Sequence, residues 1–201
     1  MSADQLLIAL MAAFALLGAA DRILGGRFGI GAEFEKGIES MGALALSMVG
    51  IVCLAPVLAA VLRPIVVPVF RLLGADAAMF AGSILACDMG GGALARELTQ
   101  DAQAAALGGV ITGSMLGATV VFTIPVAMGI LQEGDRPAMA KGILCGIVTI
   151  PVGVLVGGLV AGFPLVMVAQ NLIPIVILAA LIALGLWRAE KTMVRGFEVF
   201  G

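Results

Sequence analysis

The sequence predicts an all-α polytopic membrane protein, with about six transmembrane helices and a short re-entrant or interfacial segment. Three observations predict it. The 201 residues are 62% hydrophobic and 12% charged, where a soluble domain carries about 25% charged residues. Mean hydropathy is +1.19. Residues 40–62, 102–132 and 142–187 carry no charge at all, and about 20 apolar residues cross a hydrocarbon core of about 30 Å.

The elements follow in order as one transmembrane domain. A first helix is expected within 1–24. Asp4 stands where a cleaved leader would place basic residues, so this helix is expected to be retained. Residues 25–40 form a polar connector. In it Phe34, Ile38 and Met41 alternate with Glu35, Lys36 and Glu39, the pattern of a short amphipathic helix at the interface. A helical bundle is expected over 41–187, with spans over 41–62, 77–95, 104–131, 138–161 and 165–187. The apolar piece 64–74 contains Pro64, Pro68 and Arg71. It is too short to cross and reads as the re-entrant or interfacial segment. Residues 188–201 form a polar tail.

Several function classes are disfavoured. The chain has no His and no Tyr, which removes the commonest general base and the imidazole metal ligand. Cys53, Cys87 and Cys145 are scattered and lack metal or disulfide spacing. The net charge is −2, and nothing resembles a basic nucleic-acid footprint. No enzyme, metal, cofactor or nucleic-acid partner is therefore expected; the lipid bilayer is.

Proline and glycine punctuate the spans. Thr123-Ile-Pro-Val126 and Thr149-Ile-Pro-Val152 are the same tetrapeptide, and Pro56 and Pro174 also lie in apolar runs. A proline frees a carbonyl one turn earlier, so Pro125 and Pro151 mark either structural kinks or broken helices whose open backbone lines a path. Gly109, Gly113 and Gly117 are four apart, as are Gly142 and Gly146. Such spacing lets helix backbones approach closely.

Asp88 is the residue of greatest interest. It stands in Ala86-Cys-Asp-Met-Gly-Gly-Gly92, inside an apolar run. A central Asp costs about 2.5–3.5 kcal/mol on insertion scales. The three glycines Gly90, Gly91 and Gly92 each weaken a helix by about 1 kcal/mol relative to Ala, so a break is expected just after the carboxylate. A carboxylate beside a broken helix can hold a cation. A structural pair with Arg96 and a proton-relay role remain open at this stage. Ser114, Thr123, Gln170 and Asn171 are candidates to complete a substrate site. Ser83, Thr112 and Thr119 are further neutral polar residues in the spans, and Glu35 and Glu39 could stand at an entrance.

A family resemblance rests on longer strings. Met41-Gly-Ala-Leu-Ala-Leu-Ser-Met-Val-Gly50, Ala55-Pro-Val-Leu58, Met79-Phe-Ala-Gly82, Leu85-Ala-Cys-Asp-Met-Gly-Gly91, Gly113-Ser-Met115, Ile124-Pro-Val126 and Gly146-Ile-Val-Thr-Ile-Pro151 together resemble the bacterial ethanolamine-utilisation transporter family, in its N-terminal half. The resemblance implies a permease of the bacterial cytoplasmic (inner) membrane that takes up ethanolamine for catabolism, with Asp88 and its glycines as the acidic signature. Family members continue beyond the point where this chain stops. A homo-oligomer or a second-half chain is the expected partner. Alternatives are a permease for another small cationic metabolite and a non-transporting membrane docking protein.

Overall fold

The computed structural model describes residues 3–200. All regular structure among them is helical. By contacts the chain divides into two compact units, one ending at Val49 and one beginning at Gly50.

In the first unit, α1 (Ala3–Ile23) is followed by a tight turn and by the start of α2 (Ile30–Leu72). Asp21 organises the turn. Its carboxylate is buried and accepts the Phe28 N–H at 3.0 Å and the Gly31 N–H at 2.8 Å. The second bond satisfies an N–H of the first turn of α2, which no intrahelical carbonyl can reach. Arg22 and Glu35 pair across the turn at 2.6 Å. The connector expected over 25–40 is thus a short turn running into a helix that starts at Ile30.

In the second unit α2 continues through Pro56, Pro64 and Pro68 to Leu72. The piece 64–74, expected to be re-entrant or interfacial, is therefore helix almost to its end. Prolines are tolerated in membrane helices because neighbouring groups re-satisfy the freed carbonyls.

The re-entrant element lies instead in the expected span 77–95. It is built from α3 (Ala78–Ile84), a π-helical turn (Cys87–Gly91) and α4 (Gly92–Leu98). Each α-helical arm has seven residues and reaches only about 10 Å at about 1.5 Å per residue. The two arms pack together, sharing a cluster of Ala77, Ala78, Ala81, Leu94, Ala95 and Leu98 with Ala59 and Val66 of α2. Their outer ends are tied. Asp76 Oδ1 accepts the Ala78 N–H at 2.8 Å, and its Oδ2 accepts the Thr99 hydroxyl at 2.7 Å. The segment therefore enters and leaves on one side of the bundle, with Asp88 at its tip.

A continuous helical rod, Ala102–Ile130, then passes the hairpin. It comprises α5 (Ala102–Ala105), π-helical stretches Ala106–Gly117 and Thr119–Thr123, and α6 (Ile124–Ile130). Asp101 caps its start, accepting the Gln103 and Ala104 N–H groups. The wider π turn closes i→i+5 bonds. It sets residues five and four apart, Gly108, Gly113 and Gly117, on one face. That face meets α3. A Cβ on Gly82 would collide with the Gly108 carbonyl and lie 2.7 Å from the Gly113 nitrogen, and one on Gly117 would collide with the Leu85 carbonyl. Gly109 meets the other arm: a Cβ on it would stand 2.8 Å from Gly92 Cα. Close packing is thus present, on a stripe shifted by one residue at its first position from the one the four-residue spacing marks.

The bundle is completed by α7 (Arg136–Val160) and α8 (Leu165–Phe200), the latter interrupted at Ala189. Leu107 and Leu116 of the rod, Met79 of the hairpin, Ile147 and Val154 of α7, and Val168, Leu172 and Ile175 of α8 form one buried cluster. Large apolar residues elsewhere, such as Leu181, Leu184 and Trp187, face outward, as lipid-facing positions do. Among the described residues five helices are long and apolar enough to span a membrane: Asp4–Ile23, Met48–Leu72, Ala102–Ile130, Arg136–Val160 and Leu165–Val194. Five such helices plus the hairpin make an all-α polytopic membrane protein.

Two predictions follow from this arrangement. In a background with Cys53, Cys87 and Cys145 replaced by Ala, Leu73→Cys and Gln100→Cys should be labelled by an impermeant maleimide from the same side of the membrane, and Gln132→Cys from the other. Labelling of positions 73 and 100 from opposite sides would make the segment a crossing. Gly117→Val should destabilise by at least the cost of overpacking, about 1–3 kcal/mol. Gly129→Ala, with open space around it in α6, should be neutral or stabilise by up to about 1 kcal/mol. Thermal unfolding in detergent compares the two.

Candidate functional site

The hairpin tip is a stretch of irregular backbone at the middle of the rod. Leu85 and Ala86 are extended, with ψ of 138° and 150°. The helix resumes at Cys87, and Met89 and Gly90 leave helical geometry again. Asp88 thus sits between two irregularities, one on each side. Gly90 has φ +92°, and a Cβ there would also collide with Ile51 of α2, so both conformation and space call for glycine.

The break exposes backbone groups in the interior of a membrane protein. The Leu85 N–H still reaches the Ala81 carbonyl at 2.9 Å, and the Ala86 carbonyl accepts from the Met89 and Gly91 N–H groups. None of the backbone hydrogen bonds made outside the helices ends on the carbonyls of Gly82, Ser83, Ile84 or Leu85. The Leu85 carbonyl is pressed between glycines: a Cβ on Gly91 would stand 2.7 Å from it and one on Gly113 3.3 Å. Depth follows from the rod. Gly113 and Gly117, which touch this carbonyl, are near the midpoint of Ala102–Ile130.

Asp88 itself is exposed, and no hydrogen bond or ion pair joins its carboxylate to another described residue. The pair with Arg96 left open above does not form among the described residues. Asp88 lies in the π-helical turn Cys87–Gly91, separated from α4 by the non-helical Met89 and Gly90.

Ser114 and Thr123 come together in a cavity of 500 Å³ between the rod and α7, with Thr119 and Thr149. The hydroxyls of Ser114, Thr119 and Thr149 donate to the carbonyls of Ile111, Met115 and Gly146 of their own helices, at 2.9, 2.7 and 2.7 Å. Their protons are spent locally, so toward the cavity they act as acceptors. Gly142, Gly146 and Gly153 line its other wall, and Gly142 and Gly146 have nothing within 4 Å of a notional Cβ. The close helix approach expected at these two glycines is absent; they leave room instead. Pro125 lies in the first turn of α6 and Pro151 inside α7; neither lines this cavity. Asp88 does not line it.

Asn171 is placed at the outer ends of the hairpin. It accepts the Asp76 N–H at 2.7 Å and donates to the Met167 carbonyl at 3.0 Å, tying the hairpin to α8. Gln170 beside it is exposed. Neither joins Asp88 at the tip. The fully buried Thr112 hydroxyl has no hydrogen-bond partner among the described residues. The freed carbonyls of residues 82–85 were not anticipated, since Leu85 and Ala86 are good helix formers.

Comparison with known proteins settles the lineage. The family described as "Ethanolamine utilisation protein, EutH" matches residues 3–201. The chain belongs to the EutH family. It is 56% identical over its whole length to "Probable ethanolamine permease EutH" of Listeria monocytogenes serotype 1/2a (strain 10403S), covering 54% of that protein. It is 51% identical to "Uncharacterized protein YxeR" of Bacillus subtilis (strain 168), also covering 54%. It is 45% identical over 227 aligned positions to the "Probable ethanolamine permease EutH" of Escherichia coli (strain K12), covering 56%. The chain thus spans a little over half the length of these EutH relatives. No solved structure matches it.

Because Asp88 has no partner among the described residues, Asp88→Asn should fold and insert as the parent does, with an unfolding temperature in detergent unchanged within error. Gly90→Ala should lose folded protein in the same assay. A matching loss in Asp88→Asn would assign the carboxylate a structural task.

Proposed function

We propose that this EutH chain forms part of a permease of the bacterial cytoplasmic membrane that takes up ethanolamine, with Asp88 as the partner of the substrate's ammonium group. The observation that carries the reading is an unpaired carboxylate at the tip of a re-entrant hairpin, halfway along the helix that packs on it. Protonated ethanolamine is a small cation with three N–H donors and one hydroxyl. It needs a carboxylate and several acceptors, and it cannot cross hydrocarbon unaided. The carbonyls of Ser83 and Ile84, which accept none of the described backbone bonds made outside the helices, are acceptors close to Asp88 in the chain. Ser114, Thr119, Thr123 and Thr149 offer further hydroxyl oxygens in the cavity between the rod and α7, where a cation could make weak, multiple contacts. Broken helices that hold a substrate near mid-membrane are a recurrent transporter device. The names of the Listeria and Escherichia relatives point to the same substrate. On this reading the open side of Asp88 is closed by a second copy or by a second-half chain.

The test is uptake of labelled ethanolamine into liposomes or cells at mildly acidic pH, where the cation dominates. Asp88→Asn should lower uptake at least about tenfold, the effect of losing a charge-assisted bond of about 1.5–3 kcal/mol. Asp88→Glu should retain part of it. Uptake unaltered in well-inserted Asp88→Asn removes Asp88 from the site; choline competing equally with ethanolamine would favour a broader small-cation permease.

A further inference from the structure

A second polar cavity lies at the outer ends of the hairpin, away from the tip. Its volume is 570 Å³, and it is lined by both Arg63 and Arg71 of α2 and by both Asp76 and Asp101 of the hairpin loops. These four charges do not pair with one another: the ion pairs among the described residues are Arg22–Glu35, Lys36–Glu33 and Lys141–Glu190. Each carboxylate is held back by backbone capping. Asp76 spends both oxygens on the Ala78 N–H and the Thr99 hydroxyl. Asp101 spends Oδ1 on the N–H groups of Gln103 and Ala104, and no described bond uses its Oδ2. Arg63 donates to the Glu97 carbonyl. The guanidinium of Arg71 meets no described hydrogen-bond or ion-pair partner.

Arg63, Arg71 and Asp101 are exposed, and a cavity lined by unneutralised charges of both signs suits a ligand that carries both signs. We propose that this cavity holds the headgroup of a zwitterionic phospholipid. Its phosphate lies against Arg71 and Arg63, where guanidinium forks match phosphate oxygens. Its ammonium lies toward the free oxygen of Asp101. Position favours a lipid over a soluble phosphate. The cavity opens beside the last turns of a spanning helix, Met48–Leu72. Val67 and Leu98 make its apolar wall, and Ile65, Val69 and Leu72 are exposed on the same helix end, where acyl chains would run. A lipid bound here bridges α2 to the hairpin loops and steadies the ends of the element whose tip bears Asp88.

Native mass spectrometry of the purified chain, extracted in mild detergent and then reconstituted in nanodiscs, tests this. Nanodiscs of phosphatidylethanolamine with phosphatidylglycerol are compared with nanodiscs of phosphatidylglycerol alone. Phosphatidylethanolamine should be retained through delipidation, resist displacement by inorganic phosphate, and fall about tenfold in Arg71→Gln, with Arg71→Lys between. Arg71 has no described intramolecular partner, so the lipid-free unfolding temperature of Arg71→Gln should match the parent. Equal retention of phosphatidylglycerol, displacement by inorganic phosphate, or unchanged retention in Arg71→Gln would overturn the assignment.

Discussion

Backbone hydrogen bonding in a medium without water is the constraint on which this structure turns. Hydrocarbon offers no partner to a free N–H or C=O, so spanning segments are helices and irregular backbone survives only where protein or a lined cavity covers it. The hairpin breaks its helix at Leu85 and Ala86, near the midpoint of the rod beside it. The rod's glycines are what make the break tolerable. With hydrogen atoms at Gly113 and Gly117 in place of side chains, the rod's backbone closes over the Leu85 carbonyl and shields it from lipid. Any side chain at Gly117 would push the rod away and open that carbonyl.

The same residue type does the opposite on the other face of the site. Gly142 and Gly146 of α7 touch nothing, and the space they leave is part of the hydroxyl-lined cavity between α7 and the rod. Glycine thus closes one side of the rod and opens the other. Spacing alone cannot separate the two cases, because the distinction depends on which helix lies opposite. It also explains why the rod is π-helical over Ala106–Gly117. An α-helix would align Gly109, Gly113 and Gly117. The wider turn brings Gly108 into line with Gly113 and Gly117 and turns Gly109 to the second arm, so one rod contacts both arms through glycine.

Much of the fold was legible in the sequence because hydrophobic runs register length and polarity directly. The long helices at 102–130, 136–160 and 165–194 fall close to the expected spans. The hairpin was not legible. Residues 77–95 are as apolar as a crossing, and composition carries no information on whether a chain returns to the side it came from. That is decided by a contact between distant residues, the Thr99 hydroxyl on Asp76, which keeps both ends together. Pro64 and Pro68 misled in the other direction: they look like breakers, but leaving the helix within lipid would strand more backbone groups than two prolines do. Of the site, the glycine run after Asp88 coincides with the irregularity at Met89 and Gly90. The earlier break at Leu85 and Ala86 is imposed by packing on residues with good helix propensity.

The energetics of Asp88 close the argument. At this depth a carboxylate costs about 2.5–3.5 kcal/mol, and a fixed arginine partner would be the simplest way to offset it. Arg96 lies in the second arm, yet among the described residues no ion pair joins it to Asp88. Even at a regular helix N-terminus an anion gains only about 0.3–1 kcal/mol, less than the cost. The remainder is left to water, which reaches an exposed carboxylate, or, on the reading proposed above, to a cation that comes and goes. On that reading the charge has to be exchangeable, since a site paired too well would bind its guest and not release it.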